Sequence, residues 1–218
     1  MTEHQPKSRF FEQNARAALA NANIQRAMRS TQAGFVGKRA KAREGLPEFD
    51  DLRDAARDMK DHVLAHLDLY LDRYESAVIA SGGHVHWAED AESARRIVLD
   101  ICRKAGAKTV NKGKTMISEE IGLNGFLEEN GIAPVETDLG EYIIQLRREA
   151  PSHIIAPAVH VTVPEVDALF RETHTHLAKD RDLSEPRTML SEARGVLRQK
   201  YFEAEVGVTG ANMLVAET

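Results

Sequence analysis

Residues 112–160 read KGKTMISEEIGLNGFLEENGIAPVETDLGEYIIQLRREAPSHIIAPAVH, and they hold more groups capable of chemistry than any other stretch of the chain. Lys112, Lys114 and Thr115 directly precede a predicted helix. Acidic side chains then surround the turn after a short apolar run: Glu136, Asp138 and Glu141. Ligands of open α/β sheets bind where the carboxyl ends of parallel strands meet helix N-termini. The stretch therefore predicts an α/β fold with an anion-binding edge.

Short apolar runs alternate with helical patterns beyond residue 83, which is typical of a parallel sheet with helical crossovers. The predicted strands cover residues 84–87, 108–111, 133–136, 152–156 and 213–217. The predicted helices cover 90–105, 118–129, 163–178 and 184–203, and 139–146 form a short helix or an extended piece. The run 152–156 is almost wholly apolar, so we expect a central strand buried on both faces. Because no element follows 213–217, we expect a sheet truncated at its C-terminal end, with an unpaired edge.

The first 83 residues show helical spacing of their apolar positions. The predicted elements are an amphipathic helix over 8–30, a short helix interrupted by Gly34 and Gly37, a turn at 45–47, and one long helix over 49–80 ended by Ser81-Gly82-Gly83. We therefore divide the chain into a helical arm, residues 1–47, and an α/β domain, residues 48–218.

The composition is that of an ordinary globular protein: 218 residues, 42% hydrophobic and 29% charged. No apolar run approaches the length of about eighteen residues that a membrane span needs, and the N-terminus lacks a signal-peptide core, so we expect a cytoplasmic protein. The single cysteine, Cys102, lies among apolar neighbours on a predicted helix and is expected to be a buried structural thiol.

The net charge of −5 conceals a basic N-terminal segment. Residues 1–43 contain only Glu3 and Glu12 as acidic residues, against nine basic ones: Lys7, Arg9, Arg16, Arg26, Arg29, Lys38, Arg39, Lys41 and Arg43. Such an arm can reach nucleic acid, an anionic membrane or an acidic partner. Because few aromatic residues are interleaved with the basic ones, the pattern disfavours nucleic acid and favours docking on an acidic surface.

Lys112, Lys114 and Thr115 are the candidate anion ligands. Backbone N–H groups and the positive end of the helix dipole would add to the two ammonium groups, which suits a phosphate or a carboxylate. The loop contains only Gly113 and lacks the spacing of a P-loop. Lysines that merely cover the surface are the alternative.

The carboxylates Glu136 and Asp138, clustered with Glu141, are candidates for general acid or base chemistry, because neighbouring carboxylates raise one another's pKa. A hydrated acidic turn is the alternative. Glu119 and Glu120 fall in the first turn of the next helix, where the helix dipole explains them without catalysis.

His160 is the histidine expected to contact a ligand, because it lies just past the carboxyl end of the predicted strand 152–156. Its alternative role is to cap the turn before Val163. The loop GVTGAN adds Thr209 and Asn212, with glycines that let backbone N–H groups face an anion, although a plain turn explains it equally well. No dedicated metal site is predicted, since the histidine pairs in the sequence lack a third ligand.

The sequence contains four motifs whose order and intervals resemble the lactate utilization protein B family: KGKTMISEEIGLN, GIAPVETDLGEYIIQL, PSHIIAPAVH and GVTGANMLVAET. The resemblance spans essentially the whole chain. It implies a LUD domain, similar to the α/β folds of ribose-5-phosphate isomerase, glucosamine-phosphate deaminase and CoA-transferases. It also implies a subunit that carries electrons in a three-protein system oxidising L-lactate to pyruvate.

The chain departs from that family in its cysteines. The resemblance implies two [4Fe–4S] clusters in a region beyond Thr218, and Cys102 alone cannot ligate a cluster that needs about four thiolates. We therefore expect the N-terminal LUD portion of an iron–sulfur subunit, binding no cofactor through these residues and inactive alone. Either it is a fragment of a longer protein, or the cluster half is supplied as another chain. Its expected partners are the other subunits of the lactate-oxidation complex and a small anionic ligand.

Two other functions stay open. One is a small-molecule enzyme that acts on a phosphorylated sugar or a CoA ester, by analogy with the wider fold. The other is a non-catalytic scaffold whose basic arm docks partner subunits.

Overall fold

The structure, a computed structural model, describes residues 7–216. Helices α1 to α11 cover Phe11–Ala20, Ala22–Thr31, Gly37–Glu44, Phe49–Ala65, Leu67–Ala80, Ala91–Lys104, Met116–Glu120, Leu123–Glu129, Leu139–Arg147, Val163–Thr173 and Pro186–Glu203. Strands β1 to β3 cover Thr109–Lys112, Ala133–Glu136 and Val206–Val208. A 3₁₀ turn, Lys7–Phe10, precedes α1, and a π-helical turn, Gln32–Val36, separates α2 from α3.

The described chain divides into two compact units. The sheet unit contains the described residues up to Ser30 together with Ala88–Gly210. The helical unit contains Thr31–Trp87 together with the described residues from Ala211 onward. The predicted arm, residues 1–47, stays a prediction as a separate domain.

The sheet has the order β2-β1-β3, and its strands are parallel. Helices α7 and α8 form the crossover from β1 to β2, as the alternating pattern predicts. The register pairs Lys112 at the end of β1 with Glu136 in β2 and with Val208 in β3. The three strands therefore end together, which brings the charged residues of their ends to one side.

Two hydrophobic clusters hold helices α6 and α8 to α11 against the strands of the sheet unit. The first contains Val135, Tyr142, Ile143, Phe170, Leu183, Met189, Ala193 and Leu197. The second contains Leu99, Cys102, Val110, Leu123, Leu127 and Ile132. Cys102 is fully buried, as predicted, and burial raises the pKa of its thiol. The parallel sheet with covering helices confirms the predicted α/β class.

Residues 152–156 do not form the predicted central strand. They make a series of bends in which Ile154 and Ile155 are 58% and 74% exposed. The N–H of Ser152 donates to the carbonyl of Pro157 at 3.1 Å, and its Oγ lies 3.0 Å from the same oxygen, which closes the segment into a turn. A proline on either side supplies no N–H to a sheet ladder. The prediction of a strand buried on both faces is therefore wrong.

Two further strand predictions also fail in the described residues. Residues 84–87 and 213–216 have no regular secondary structure, and Glu217 lies outside the described residues. Instead, β3 begins at Val206 and overlaps the start of the predicted loop 207–212. An apolar run becomes a strand only when a neighbouring strand supplies hydrogen-bond partners, and sequence spacing does not reveal that neighbour.

Several predicted helices are shorter than expected because single positions break them. The breaks fall at Asn21 in the helix predicted over 8–30, at His66 in that over 49–80, at Gly122 in that over 118–129, and after Thr173 in that over 163–178. At Gly122 the backbone takes φ +65°, the left-handed region that glycine adopts at little cost. The predicted helix over 118–129 is therefore two short helices, α7 and α8.

Candidate functional site

The loops that follow β1 and β2 meet at the carboxyl ends of the strands. After β1, the N–H of Gly113 donates to the carbonyl of Val208 at 2.8 Å. After β2, the N–H and the hydroxyl of Thr137 both donate to the carbonyl of Lys112, at 2.9 and 2.8 Å. We call the resulting surface the carboxyl edge; it consists of Lys112–Thr115, Glu136–Glu141 and Thr209–Gly210.

Lys112 is a fully buried ammonium group held between two carboxylates. Its Nζ lies 2.6 Å from Glu136 Oε1 and 3.1 Å from Glu119 Oε1. The Nδ2 of Asn124 donates to the same Glu136 oxygen at 2.7 Å. Charge-assisted hydrogen bonds of this kind offset the cost of removing both charges from water. Lys112 and Glu136 thus form a structural ion pair that joins the ends of β1 and β2.

Lys112 is therefore not a lysine that merely covers the surface, and Glu136 is not part of a hydrated acidic turn. Neither side chain is solvated. The ion pair also leaves Lys112 neutralised by the chain's own carboxylates. Its role as an anion ligand stays a prediction, and so does the acid or base role of Glu136. Glu119 lies in the first turn of α7, as predicted, and is also a partner of Lys112.

Lys114 is the accessible lysine of the carboxyl edge, with a side chain that is 32% exposed and bonded to Glu141 Oε1. Asp138 caps α9, its Oδ1 accepting the N–H of Gly140 at 3.0 Å. Burial, together with a hydrogen bond to Asp138, raises the pKa of Glu141. A hydrogen bond from Glu141 in turn lowers the pKa of Asp138. Glu141 is therefore the weaker acid of the two carboxyl groups.

The raised pKa of Glu141 agrees with the setting of its second oxygen. Glu141 Oε2 is buried, and no donor among the described residues reaches it. A buried carboxylate oxygen without a donor is costly, whereas a protonated one donates its own hydrogen. The acid or base role of Asp138 and Glu141 stays a prediction.

Two predicted threonines lie at the carboxyl edge, and the predicted asparagine falls outside it. Thr115 caps α7, with Oγ1 3.4 Å from the N–H of Ser118. Thr209 comes close to the β1 loop, since a Cβ added at Gly113 would lie 3.3 Å from its Oγ1. Asn212 belongs to the helical unit, and its contribution to a ligand site stays a prediction.

His160 lies in a turn before α10, not past a strand end as predicted. Its Nδ1 is 2.7 Å from Ser152 Oγ, and its Nε2 is 2.8 Å from Glu149 Oε1. Thr162 and Glu165 form the capping box of α10 itself, so the alternative role of His160, as a capping partner for the turn before Val163, stays a prediction together with its ligand contact.

The first hydrophobic cluster contains a buried polar network that the sequence did not predict. Tyr142 Oη lies 2.8 Å from His174 Nε2, and His174 Nδ1 lies 2.7 Å from Glu192 Oε1. Arg181 Nε donates to the other oxygen of Glu192 at 2.6 Å. Burial would raise the pKa of Glu192, but hydrogen bonds from Arg181 and His174 outweigh it and lower that pKa. These residues are far apart in sequence, so no local spacing signals the network.

The histidine pair His62 and His66 has its rings 4.8 Å apart, and His62 Nε2 lies 3.2 Å from the hydroxyl of Tyr70. Within residues 7–216, no three histidine, cysteine, aspartate or glutamate side chains are grouped so as to hold a metal ion. No helix in the same part of the chain is both long and apolar enough to cross a membrane.

The fold and the site define an α/β domain with a parallel sheet and an ion-paired carboxyl edge. The family model of the LUD domain matches residues 71–218, and the chain belongs to the LUD domain family. No solved structure shows a significant match. The predicted kinship with the isomerase and CoA-transferase folds therefore stays a prediction.

Curated relatives agree with the predicted resemblance. The chain is 37% identical to lactate utilization protein B of Bacillus velezensis and 39% identical to that of Macrococcus caseolyticus, each over 95% of this chain and 43% of the relative. It is 35% identical to the uncharacterized electron transport protein YkgF of Escherichia coli, over 95% of this chain and 43% of that protein. The chain thus spans less than half the length of these relatives.

Proposed function

We propose that this chain is the LUD portion of an iron–sulfur electron-transfer subunit in a cytoplasmic complex that oxidises L-lactate to pyruvate. The observation that carries the proposal is the similarity to lactate utilization protein B along 95% of the chain, at 35–39% identity. The relative named as an electron transport protein supports the redox role.

In this proposal the residues of this chain do not carry the electrons themselves. One buried thiol, Cys102, cannot supply the four or so ligands of a [4Fe–4S] cluster. The two clusters implied by the resemblance would therefore be held by cysteines outside these 218 residues, and partner subunits would complete the complex.

The carboxyl edge supplies a place for a small anionic ligand such as a carboxylate. Lys114 is exposed enough to reach a ligand, and burial raises the pKa of its partner Glu141. The hydroxyls of Thr115 and Thr209 lie on the loops beside it. In this proposal Lys114 attracts the anion, the threonines donate hydrogen bonds, and the carboxyl pair takes up or releases a proton.

The test is lactate-dependent dye reduction by a complex reconstituted from the partner subunits and the iron–sulfur subunit that is proposed to include this chain. Lys114→Met should lower the rate at least about tenfold, because removing a buried or half-buried charge partner costs more than about 1.4 kcal/mol. Lys108→Met is the matched control, since this exposed lysine precedes the opposite end of β1. Lactate oxidation by the 218-residue chain alone would contradict the proposal.

A scaffold is the second candidate, favoured by the surface of the helical unit. None of its described side chains is buried, and Leu52, Met59 and Leu64 are each more than half exposed. Apolar faces of this kind are typical of interaction surfaces. A scaffold predicts that deleting residues 1–43 abolishes co-purification of the partner subunits, while Lys114→Met leaves lactate-dependent dye reduction unchanged.

A further inference from the structure

Three polar side chains in the loop between α9 and α10 form a chain of short hydrogen bonds. Ser152 Oγ lies 2.7 Å from His160 Nδ1, and His160 Nε2 lies 2.8 Å from Glu149 Oε1. This order of hydroxyl, imidazole and carboxylate is the arrangement that activates a serine nucleophile. The roles of the two ring nitrogens are exchanged relative to the serine proteases, but the path of the proton is the same.

The partners of His160 fix its tautomer. A carboxylate oxygen can only accept, so the nitrogen that faces Glu149, Nε2, carries the proton. In the neutral ring Nδ1 is then an acceptor, and the hydroxyl of Ser152 is the donor beside it. The carbonyl of Pro157, at 3.0 Å, competes for the same hydrogen but lies farther away.

Glu149 is held as an anion in this arrangement. Burial would raise the pKa of its carboxyl group, but hydrogen bonds from Arg147 and His160 outweigh burial and keep the pKa below its ordinary value. Arg147 Nε donates to the same oxygen, Oε1, at 2.7 Å. An ionised Glu149 orients the ring of His160 and stabilises the imidazolium that forms when the ring takes a proton.

The turn around Ser152 leaves this residue open to solvent. The imidazole of His153 folds back, and its Nδ1 accepts the N–H groups of Ile155 and Ala156 at 3.1 Å each. Ser152 is exposed, and His160 is half-buried. An acyl compound can approach the hydroxyl from outside.

We propose that Ser152, His160 and Glu149 form a nucleophilic site that removes small acyl groups from activated esters, thioesters being the biological class. Ser152 Oγ attacks the acyl carbon, and its proton passes to His160 Nδ1. The carbon–sulfur bond breaks, and the thiolate takes the proton from His160 and leaves as a thiol. Water then attacks the acyl-serine with His160 as base, which releases the carboxylic acid and restores the hydroxyl.

Ser152 and His160 are the catalytic residues, and Glu149 is a positioning residue. The site uses groups that the lactate proposal does not require, so either proposal can be contradicted without affecting the other. Activated esters are the expected substrates, because they react without the strained serine turn of the hydrolases that carry a Gly-x-Ser-x-Gly motif.

The test treats the 218-residue chain with a fluorophosphonate, which forms a phosphorus–oxygen bond to an activated serine and releases fluoride. Peptide mass spectrometry should place the label on Ser152, and Ser152→Ala should abolish it. With p-nitrophenyl acetate, His160→Ala should lower the hydrolysis rate about 100-fold, the usual contribution of a general base. Added imidazole should restore part of this rate, which a purely structural role of His160 would not allow.

Further variants distinguish the loss of the nucleophile from a failure to fold. Ser152→Cys keeps the size of the side chain and should transfer reactivity from the fluorophosphonate to iodoacetamide. Glu149→Gln should slow ester hydrolysis with unchanged KM, and Glu149→Asp should recover part of the loss. Ser191→Ala, which removes an exposed hydroxyl on α11, should change nothing. A label that persists in Ser152→Ala, or a Ser152→Cys protein that reacts with neither probe, would overturn the proposal.

Discussion

At the scale of single residues, the buried ion pair of Lys112 and Glu136 illustrates how a polar interior is stabilised. The ammonium group is fully buried, and its hydrogen bonds to Glu136 and Glu119 replace those to water. Such a pair adds little net stability compared with a well-packed apolar pair, but removing one member leaves an uncompensated charge. The pair therefore makes the register of β1 and β2 sensitive to a single substitution.

Lys112→Met should lower the free energy of unfolding by about 3–5 kcal/mol, because Glu136 would remain buried without its cation. Urea unfolding should show a lower midpoint with an unchanged slope. Lys114→Met is the control and should cost less, since Lys114 is 32% exposed. Equal midpoints for Lys112→Met and the unaltered chain would show that the ion pair does not hold the strands together.

Tyr142 should govern stability at high pH. Burial, with the charge of Glu192, raises the pKa of Tyr142 to about 12 from an ordinary value of 10.0. Above pH 10 the unfolded state loses this proton while the folded state keeps it, so the free energy of unfolding falls as the pH rises towards 12. The expected slope is about 1.4 kcal/mol per pH unit within that window, measured by urea unfolding.

The control for this pH dependence is another tyrosine. Tyr142→Phe should remove the additional slope, whereas Tyr201→Phe should retain it because Tyr201 is exposed. The same alkaline slope in Tyr142→Phe and in the unaltered chain would assign the effect to other groups.

At the scale of elements, helix ends and breaks depend on single side chains. Asp90 begins α6 with a capping box, in which its Oδ1 accepts the N–H of Ser93 at 2.7 Å and the hydroxyl of Ser93 accepts the N–H of Asp90 at 3.2 Å. The backbone hydrogen bond from Ser93 lowers the pKa of Asp90. This helix carries Leu99 and Cys102 of the second cluster, so its start determines how that cluster is covered.

Asp90→Ala should destabilise the chain by about 1 kcal/mol, the usual cost of losing an N-cap. Asp100→Ala, an exposed change within the same helix, should alter stability by less than about 0.5 kcal/mol. Thermal unfolding followed by circular dichroism would separate the two variants. Equal losses from both would mean that the cap contributes nothing.

At the scale of the whole molecule, apolar burial is distributed unevenly. Of the described residues, every buried one belongs to the sheet unit, and α4 and α5 contain none. The stability of the sheet unit rests on its two clusters, whereas the helical unit exposes the apolar faces of its helices to solvent. Elements with little apolar burial open more readily than elements of a core.

Two leucines give a matched test of this difference. Leu127→Ala, in the second cluster, should cost about 2–5 kcal/mol, as expected for a buried leucine. Leu64→Ala, on α4, should change stability by less than about 0.5 kcal/mol because Leu64 is 67% exposed. Hydrogen exchange should likewise be faster in α4 and α5 than in α6. A large loss of stability in Leu64→Ala would show that the apolar face of α4 is already covered.

Local sequence patterns located many elements correctly. Periodicity placed β1 within one residue, β2 at its observed bounds, and α6 and α11 close to theirs. It also placed Cys102 in the core. The predictions of these elements are correct because an amphipathic helix or a short buried strand carries its burial pattern in neighbouring residues. The predicted site residues at the carboxyl edge follow from the same reasoning, since parallel strands end together.

Contacts between distant residues decided what the sequence could not. The run 152–156 is apolar like a core strand, yet the turn closed by Ser152 and Pro157 exposes it and aligns Ser152 with His160. Likewise, Lys112 and Lys114 look alike in sequence, and only the register with β2 buries one against Glu136 and leaves the other accessible. The sequence by itself determined the α/β class, the family and the residues available for chemistry. The tertiary structure decided which of these residues are paired, because long-range hydrogen bonds and desolvation depend on where the strands lie.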